Sequence, residues 1–231
     1  MTSKQQMTVR RYGRRAKVLP QNGEILLLRP EYGPCGDVTR AFLTGGREEV
    51  LALRMDAVLE GLARRSYQDL QLRRRWAAQY THRTVNNPIA LSSQLILTPF
   101  RVRVAKVAGD TVMGFVNAAA EGGLQAVVPE EDELELLPEG ALATALVGAG
   151  GVKLPRGGRS RSRLRAAQLG RRSPAVLCVG GLRIPTLWTL ETLEKHLAGA
   201  RLIRQLLLKE ALETVAGLYQ LRLVEPPLEK R

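Results

Sequence analysis

The residues best suited to catalysis are few in this chain, and their spacing does not assemble a site. His82 and His196 fall in separate segments, and neither has a Cys or a carboxylate at metal-ligand spacing. Cys35 and Cys178 are the only cysteines, too few for a disulfide framework or a four-thiolate metal site, and in a reducing compartment both remain thiols. Carboxylates crowd residues 130–135, but that stretch reads as mobile, and a mobile segment cannot hold paired acids in fixed geometry. No G-x-S-x-G elbow, phosphate-binding loop or H-E-x-x-H sequence occurs. "VGAGGVKLP" has the glycines of a dinucleotide loop, yet Lys153 takes the place of its third glycine and Pro155 stands where a helix would have to open. The expectation is a non-enzymatic protein with no metal and no cofactor.

The side chains that remain are cationic. Lys and Arg outnumber Asp and Glu 35 to 22, for a net charge of +13 at pH 7 and a pI near 10.5. Such a balance favours phosphate polyanions. The charge comes in blocks: +4 over residues 1–53, +7 over 54–106, −8 over 107–151, +8 over 152–172 and +2 over 173–231. The +7 block holds "THRTVNNPIALSSQLILTPFRVRV" (residues 81–104), where His82-Arg83 and an Asn86-Asn87-Pro88 turn precede an apolar run that Arg101 and Arg103 close. It also holds Arg64, Arg65 and the triplet Arg73-Arg74-Arg75 beside Trp76. A helix aims only part of a consecutive triplet at one surface, so at most two of these three reach a single phosphate track. Aromatic residues make up 4% of the chain, too little for the stacking platform of single-strand binders. No apolar run is long enough to span a bilayer, and "MTSKQQMTVRRYGRR" lacks the apolar core of a secretory signal. A cytoplasmic protein without a membrane partner is therefore expected.

To present these cations the chain needs a scaffold, and its patterning is that of an α+β fold: a β-rich core with a helix near residues 57–75 and a long C-terminal helix. Residues 16–19 and 24–28 flank a Pro-Gln-Asn-Gly turn and read as a hairpin. "REEVLALRM", the two pieces around Ile89-Leu91 and Leu95-Leu97, and "DTVMGFVNAA" read as strands, and "PAVLCVGGLRIPTLW" as a second hairpin turning at Gly180-Gly181. "DAVLEGLARRSYQDLQLRRRWAAQY" carries Val58, Leu62, Tyr67 and Leu70 at loose helical spacing and reads as one helix. Leu193, Leu197, Ala200, Ile203, Leu207, Ala211 and Leu218 recur with helical period, with Thr189 and Thr192 as caps. The wide apolar face of that helix suits either its own sheet or a dimer seam. Residues 1–118 and 174–231 are expected to form one ordered domain, interrupted by a largely mobile insertion at 119–173, acidic and then basic. The Arg-Ser alternation of the insertion suits a sequence-blind arm on nucleic acid or a linker answering the acidic block beside it.

The succession of motifs resembles the ComK-type competence transcription factors. It runs from "YGRRAKVLP" through "RRSYQDLQLRRRWAAQYTHR" and "NNPIALSSQLILTPF" to "MGFVNAA", and ends in "VLCVGGLRIPTLWTLETLEKHLAGARLIRQLL". Gly181 matches a turn glycine, Thr192-Leu193-Glu194 a helix start, Arg204 an arginine late in that helix, Ser66-Tyr67 a Ser-Tyr pair and Pro88-Ile89 a Pro-Ile pair. The blocks cover most of residues 9–118 and 175–208. The resemblance implies a sequence-specific activator of competence or DNA-uptake genes that recognises paired A/T-rich boxes in double-stranded DNA, largely through the minor groove. It also implies a homodimer or higher oligomer, acting on the nucleoid, and capture by an adaptor that delivers the protein to a Clp-type protease. A narrow A/T minor groove concentrates negative potential, and inserted arginines respond to its width. The candidate DNA contacts are Arg64, Arg65, Arg73, Arg74, Arg75, His82, Arg83, Asn86, Asn87, Arg101, Arg103 and Lys106, with the asparagines able to donate to A N3 or T O2. An RNA-binding or ribosome-associated basic protein is the alternative that the same charge allows.

Overall fold

The computed structural model describes residues 19–34, 36–103, 111–120, 123–129 and 174–223, with side chains through residue 217. Strand β1 (Ile25–Gly33) turns back on β2 (Gly36–Leu43), and β3 (Glu48–Leu51) continues the meander. At that first turn Gly36 has φ 113, an angle that side-chain-bearing L residues rarely adopt. Helices α1 (Met55–Arg65) and α2 (Leu70–Thr81) follow, and then β4 (Ile89–Ser92), β5 (Leu95–Arg101) and β6 (Met113–Asn117). The antiparallel order β3-β2-β1-β6-β5-β4 means that α1 and α2 carry the chain across one face of the sheet, from one edge to the other. A second sheet, β7-β8-β9, is built from Leu124–Val127, Pro174–Val179 and Leu182–Thr189, and α3 (Leu190–Leu223) follows it directly.

Alternation along the strands gives the large sheet two apolar faces. One face, with Leu28, Ala41, Leu97 and Phe115, packs on Val58, Leu59 and Leu62 of α1 and Leu70 of α2. The other, with Leu27, Phe42, Phe100 and Val116, packs on Leu177, Ile184, Leu193 and Leu197 from the second sheet and α3. At roughly 1.5–3 kcal/mol for each fully buried large apolar side chain, both layers are needed to hold the central sheet. The residues before 118 and after 174 thus share one core. Asn117 ties the sheet ends together: its Oδ1 accepts from the Ile96 and Ala119 amides, both at 3.0 Å, and its Nδ2 donates to the Ile25 and Gln94 carbonyls, both at 2.9 Å. A buried amide is tolerated there because its donors and acceptor are all engaged.

The α+β class and the long C-terminal helix agree with the sequence reading, while three details differ. The single helix expected near 57–75 is two. Tyr67 takes a left-handed φ of 54, Gln68 N–H closes on Ala63 O at 2.9 Å, and Asp69 caps α2 by accepting the Leu72 amide at 2.7 Å. The first arm of the hairpin expected over 16–28 lies, but for Leu19, outside the described residues, and its turn has another form. Asn22–Glu24 is a 3-10 turn leading into β1, both of whose flanks are taken by β2 and β6; residues 16–18 lie outside the described residues. Within the stretch 119–173, expected to be a largely mobile insertion, Leu124–Val127 form β7, which pairs with β8. Residues 130–173, with the acidic cluster and the Arg-Ser segment, lie outside the described residues, as do Cys35 and Lys106.

The Gly180-Gly181 turn of the β8–β9 hairpin is as expected, both glycines having positive φ (52 and 81). Thr189 caps α3, its Oγ1 accepting the Thr192 amide at 3.3 Å. Leu193, Leu197, Ala200 and Ile203 of α3 are buried on the molecule's own sheets, whereas Leu208, Leu212 and Val215 are exposed. Among the described residues, no helix is long and apolar enough to cross a membrane.

Candidate nucleic-acid interface

The arginine triplet divides as helical geometry requires. Gln71, Arg74, Arg75 and Ala78 recur at one-turn spacing on α2 and line one wall of an open cleft of about 620 Å³. Arg73 turns aside, donating to Gln68 Oε1 at 2.6 Å and lying 5.8 Å from the centroid of the Trp76 ring. The cleft is also lined by Thr84, Val85 and Asn86 of the loop after α2, by Ile89, Pro99, Met113 and Phe115 of the sheet, and by Met55 and Asp56. Arg101 lies opposite Met113 in the β5–β6 register and two residues beyond Pro99, so strand alternation puts it on the same sheet face. Its Nε is buried and has no acceptor among the described residues. Arg74, Arg75 and Arg101 make no ion pair or hydrogen bond among the described residues, and their charge is available for a ligand.

The other sequence candidates do different work. Arg64 is exposed at the end of α1. Arg65 fastens the approach to β1, its guanidinium donating to Leu19 O at 2.9 Å, to Pro20 O at 2.5 Å and to Asn22 Oδ1. Burial holds its pKa below the ordinary arginine value. Arg103 is a structural residue: it pairs with Asp37 at 3.0 Å, donates to Thr111 O at 2.7 Å and lies 3.9 Å from the centroid of the Tyr32 ring. His82 is exposed and ends α2 in a left-handed conformation, φ 53. Asn86 is exposed with φ 56. Asn87 is buried; its Oδ1 accepts from Thr81 Oγ1 at 2.5 Å and its Nδ2 donates to Arg83 O at 3.0 Å, so it braces the loop and does not face solvent. Arg83 reaches back to α3, where Nη2 donates to Lys195 O, and burial lowers its pKa.

Arg74, Arg75 and Asn86 are therefore brought together around one cleft, with Arg101 on the sheet face that contributes to it, while Arg65, Arg73, Arg83, Arg103 and Asn87 are spent on the fold. The sequence reading missed Thr84 and Thr111 on the cleft and the Tyr32–Arg103–Asp37 contact. Only a strand register that pairs β1 with β2, and brings β6 beside β5, reveals them. Among the described residues, no cluster of three or more His, Cys, Asp or Glu side chains could hold a metal. No family model, curated protein or solved structure matches the chain.

Proposed function

We propose that this protein is a DNA-binding transcription regulator of the ComK type, reading A/T-rich duplex sites largely through the minor groove. The observation that carries the reading is the ordered succession of motif blocks from "YGRRAKVLP" to the C-terminal helix, joined to a net charge of +13. Arg74 and Arg75, which make no ion pair or hydrogen bond among the described residues, line one cleft with the exposed, left-handed Asn86 and support it. Two guanidinium groups flanking a polar loop suit a narrow groove that is deep in negative potential, and an asparagine amide can donate to the acceptors that every A/T pair presents there. On this reading the protein acts as a homodimer or higher oligomer and activates DNA-uptake genes.

Competition binding tests it. An A/T-rich duplex should displace a labelled A/T-rich probe better than a G/C-rich duplex or a structured RNA of equal length, and a ligand that fills the A/T minor groove should compete. Methylation of major-groove base edges should leave affinity unchanged. Preference for structured RNA would replace the reading with an RNA-binding one, and sensitivity to major-groove methylation alone would overturn the minor-groove mode.

A further inference from the structure

The cleft beside α2 is recessed as well as cationic. Met55, Ile89 and Phe115 line it although only 1%, 1% and 7% of each is exposed, and so do the buried Pro99 and the half-buried Met113. Its volume of about 620 Å³ falls within the roughly 300–1,000 Å³ typical of small-molecule sites. Duplex DNA presents its phosphates on a convex surface and gains nothing from apolar atoms at the bottom of a cleft.

Arg101 adds an independent observation. It stands opposite Met113 in the β5–β6 register and two residues beyond Pro99, and facing side chains of paired strands lie about 5 Å apart. Its Nε is buried without an acceptor among the described residues. Arg83 and Arg103 also bury one nitrogen without an acceptor, but each is engaged through its others, Arg83 to Lys195 O and Arg103 to Asp37 and Thr111 O. Arg101 makes no hydrogen bond or ion pair among the described residues. A guanidinium nitrogen taken out of water with no acceptor is destabilising, and an anionic oxygen supplies what it lacks. Asp56 is the only carboxylate among the lining residues, against Arg74 and Arg75, and Arg101 adds a third cation on the same sheet face. A phosphate, with three oxygens and close to two negative charges, can answer three guanidinium groups where a single carboxylate cannot.

We propose that this cleft binds a small organic phosphate of nucleotide size, its phosphate held by Arg101 with Arg74 and Arg75 and its apolar body lying over Ile89, Pro99 and Phe115. The binding site stands on the geometry alone. A second part rests on the DNA-binding reading: the ligand competes with duplex, since Arg74 and Arg75 cannot serve both phosphates at once.

The test titrates the full-length protein with p-nitrophenyl phosphate, AMP and UMP, beside inorganic phosphate and adenosine, and follows heat and the urea midpoint. At least one of the three organic phosphates should bind about tenfold tighter than inorganic phosphate or adenosine and raise the midpoint, because both halves of the ligand are recognised. Arg101→Met keeps the aliphatic stem and removes the charge. It should weaken that ligand about tenfold or more, while the midpoint without ligand stays at or above that of the wild type. Equally tight inorganic phosphate or adenosine, no binding by any of the three, or full affinity in R101M overturns the site. An R101M that unfolds at lower urea or fails to fold also overturns it, because Arg101 is then a residue of the fold. Saturation with the tight ligand should weaken binding of an A/T-rich duplex about tenfold, and unchanged duplex affinity overturns the competition. Absence of duplex binding in the wild-type protein sinks the DNA-binding reading, and the titrations still judge the cleft.

Discussion

At the scale of single residues, the division between available and engaged arginines predicts two kinds of variant. Replacing Arg74 and Arg75 with Ala removes charge that supports nothing else among the described residues. The slope of log affinity against log salt should fall by up to about 1.8, at about 0.9 per phosphate contact, with the unfolding midpoint in urea unchanged. Arg103→Ala should do the opposite, leaving Asp37 half-buried without its cation and costing about 1–3 kcal/mol in urea unfolding, with little effect on the salt slope. His196 carries a pH signature. Burial, and then the Arg83 charge, lowers its pKa from 6.5 to about 4, against a weaker opposing pull from the Asn86 carbonyl. The folded state therefore binds fewer protons than the unfolded one between these values, so the contribution is intact above pH 6.5 and drains away as pH falls towards 4. Urea unfolding at pH 7 and pH 4.5 should differ between wild type and H196Q by roughly 1–3 kcal/mol, wild type losing more.

At the scale of elements, α3 has two halves of unequal worth. Leu197→Ala should cost about 2–5 kcal/mol because it opens a cavity between the sheets, whereas Leu212→Ala should stay within about 0.5 kcal/mol. Comparable losses at both positions would mean that the outer half is buried in solution, as a dimer seam requires. Elements of strong period were legible in the sequence: Ile89 and Leu95 start strands, Gly180-Gly181 turns the second hairpin, and Leu193 to Ile203 form the buried stripe of α3. The break between α1 and α2 was not legible, because Leu62 and Leu70 keep helical spacing across it while the decisive signals are an aspartate cap and a tyrosine in a conformation usually left to glycine. Half of the arginine site was legible for a similar reason. Spacing on α2 foretells that only two of three arginines share a face. It cannot foretell that Arg83 and Arg103 find partners far away in sequence, Lys195 and Asp37.

At the scale of the whole molecule, the register Val127↔Val176 places the end of β7 beside the start of β8. Neighbouring strands lie about 4.8 Å apart, so whatever stands between residues 129 and 174 leaves and rejoins the fold at nearly one point. Replacing residues 131–172 with a short Gly-Ser link should leave urea unfolding cooperative with its midpoint little changed, whereas extending the cut to residue 121 removes β7, bares an edge of β8 and should lower the midpoint. Loss of the eight cations of 152–172 should reduce affinity for random duplex more than it reduces the ratio of specific to random binding, measured at matched salt. A ratio that collapses while random binding persists would place sequence reading in that segment and remove it from the α2 cleft.

The sharing of one core by the two ends of the chain also has a price in time. The sheet face carrying Leu27, Phe100 and Val116 is complete once Asn117 has been made, but Ile184, Leu193 and Leu197, which cover it, are added much later. At about 5–20 residues per second the ribosome leaves that face bare for about 4–16 s, long on the scale of hydrophobic collapse and of aggregation. Residues 118–172, synthesised during the wait, carry seven acids and then eight cations and no Phe, Tyr or Trp. A nascent protein that must keep an unfinished sheet from its neighbours is served by trailing a polyampholyte behind it.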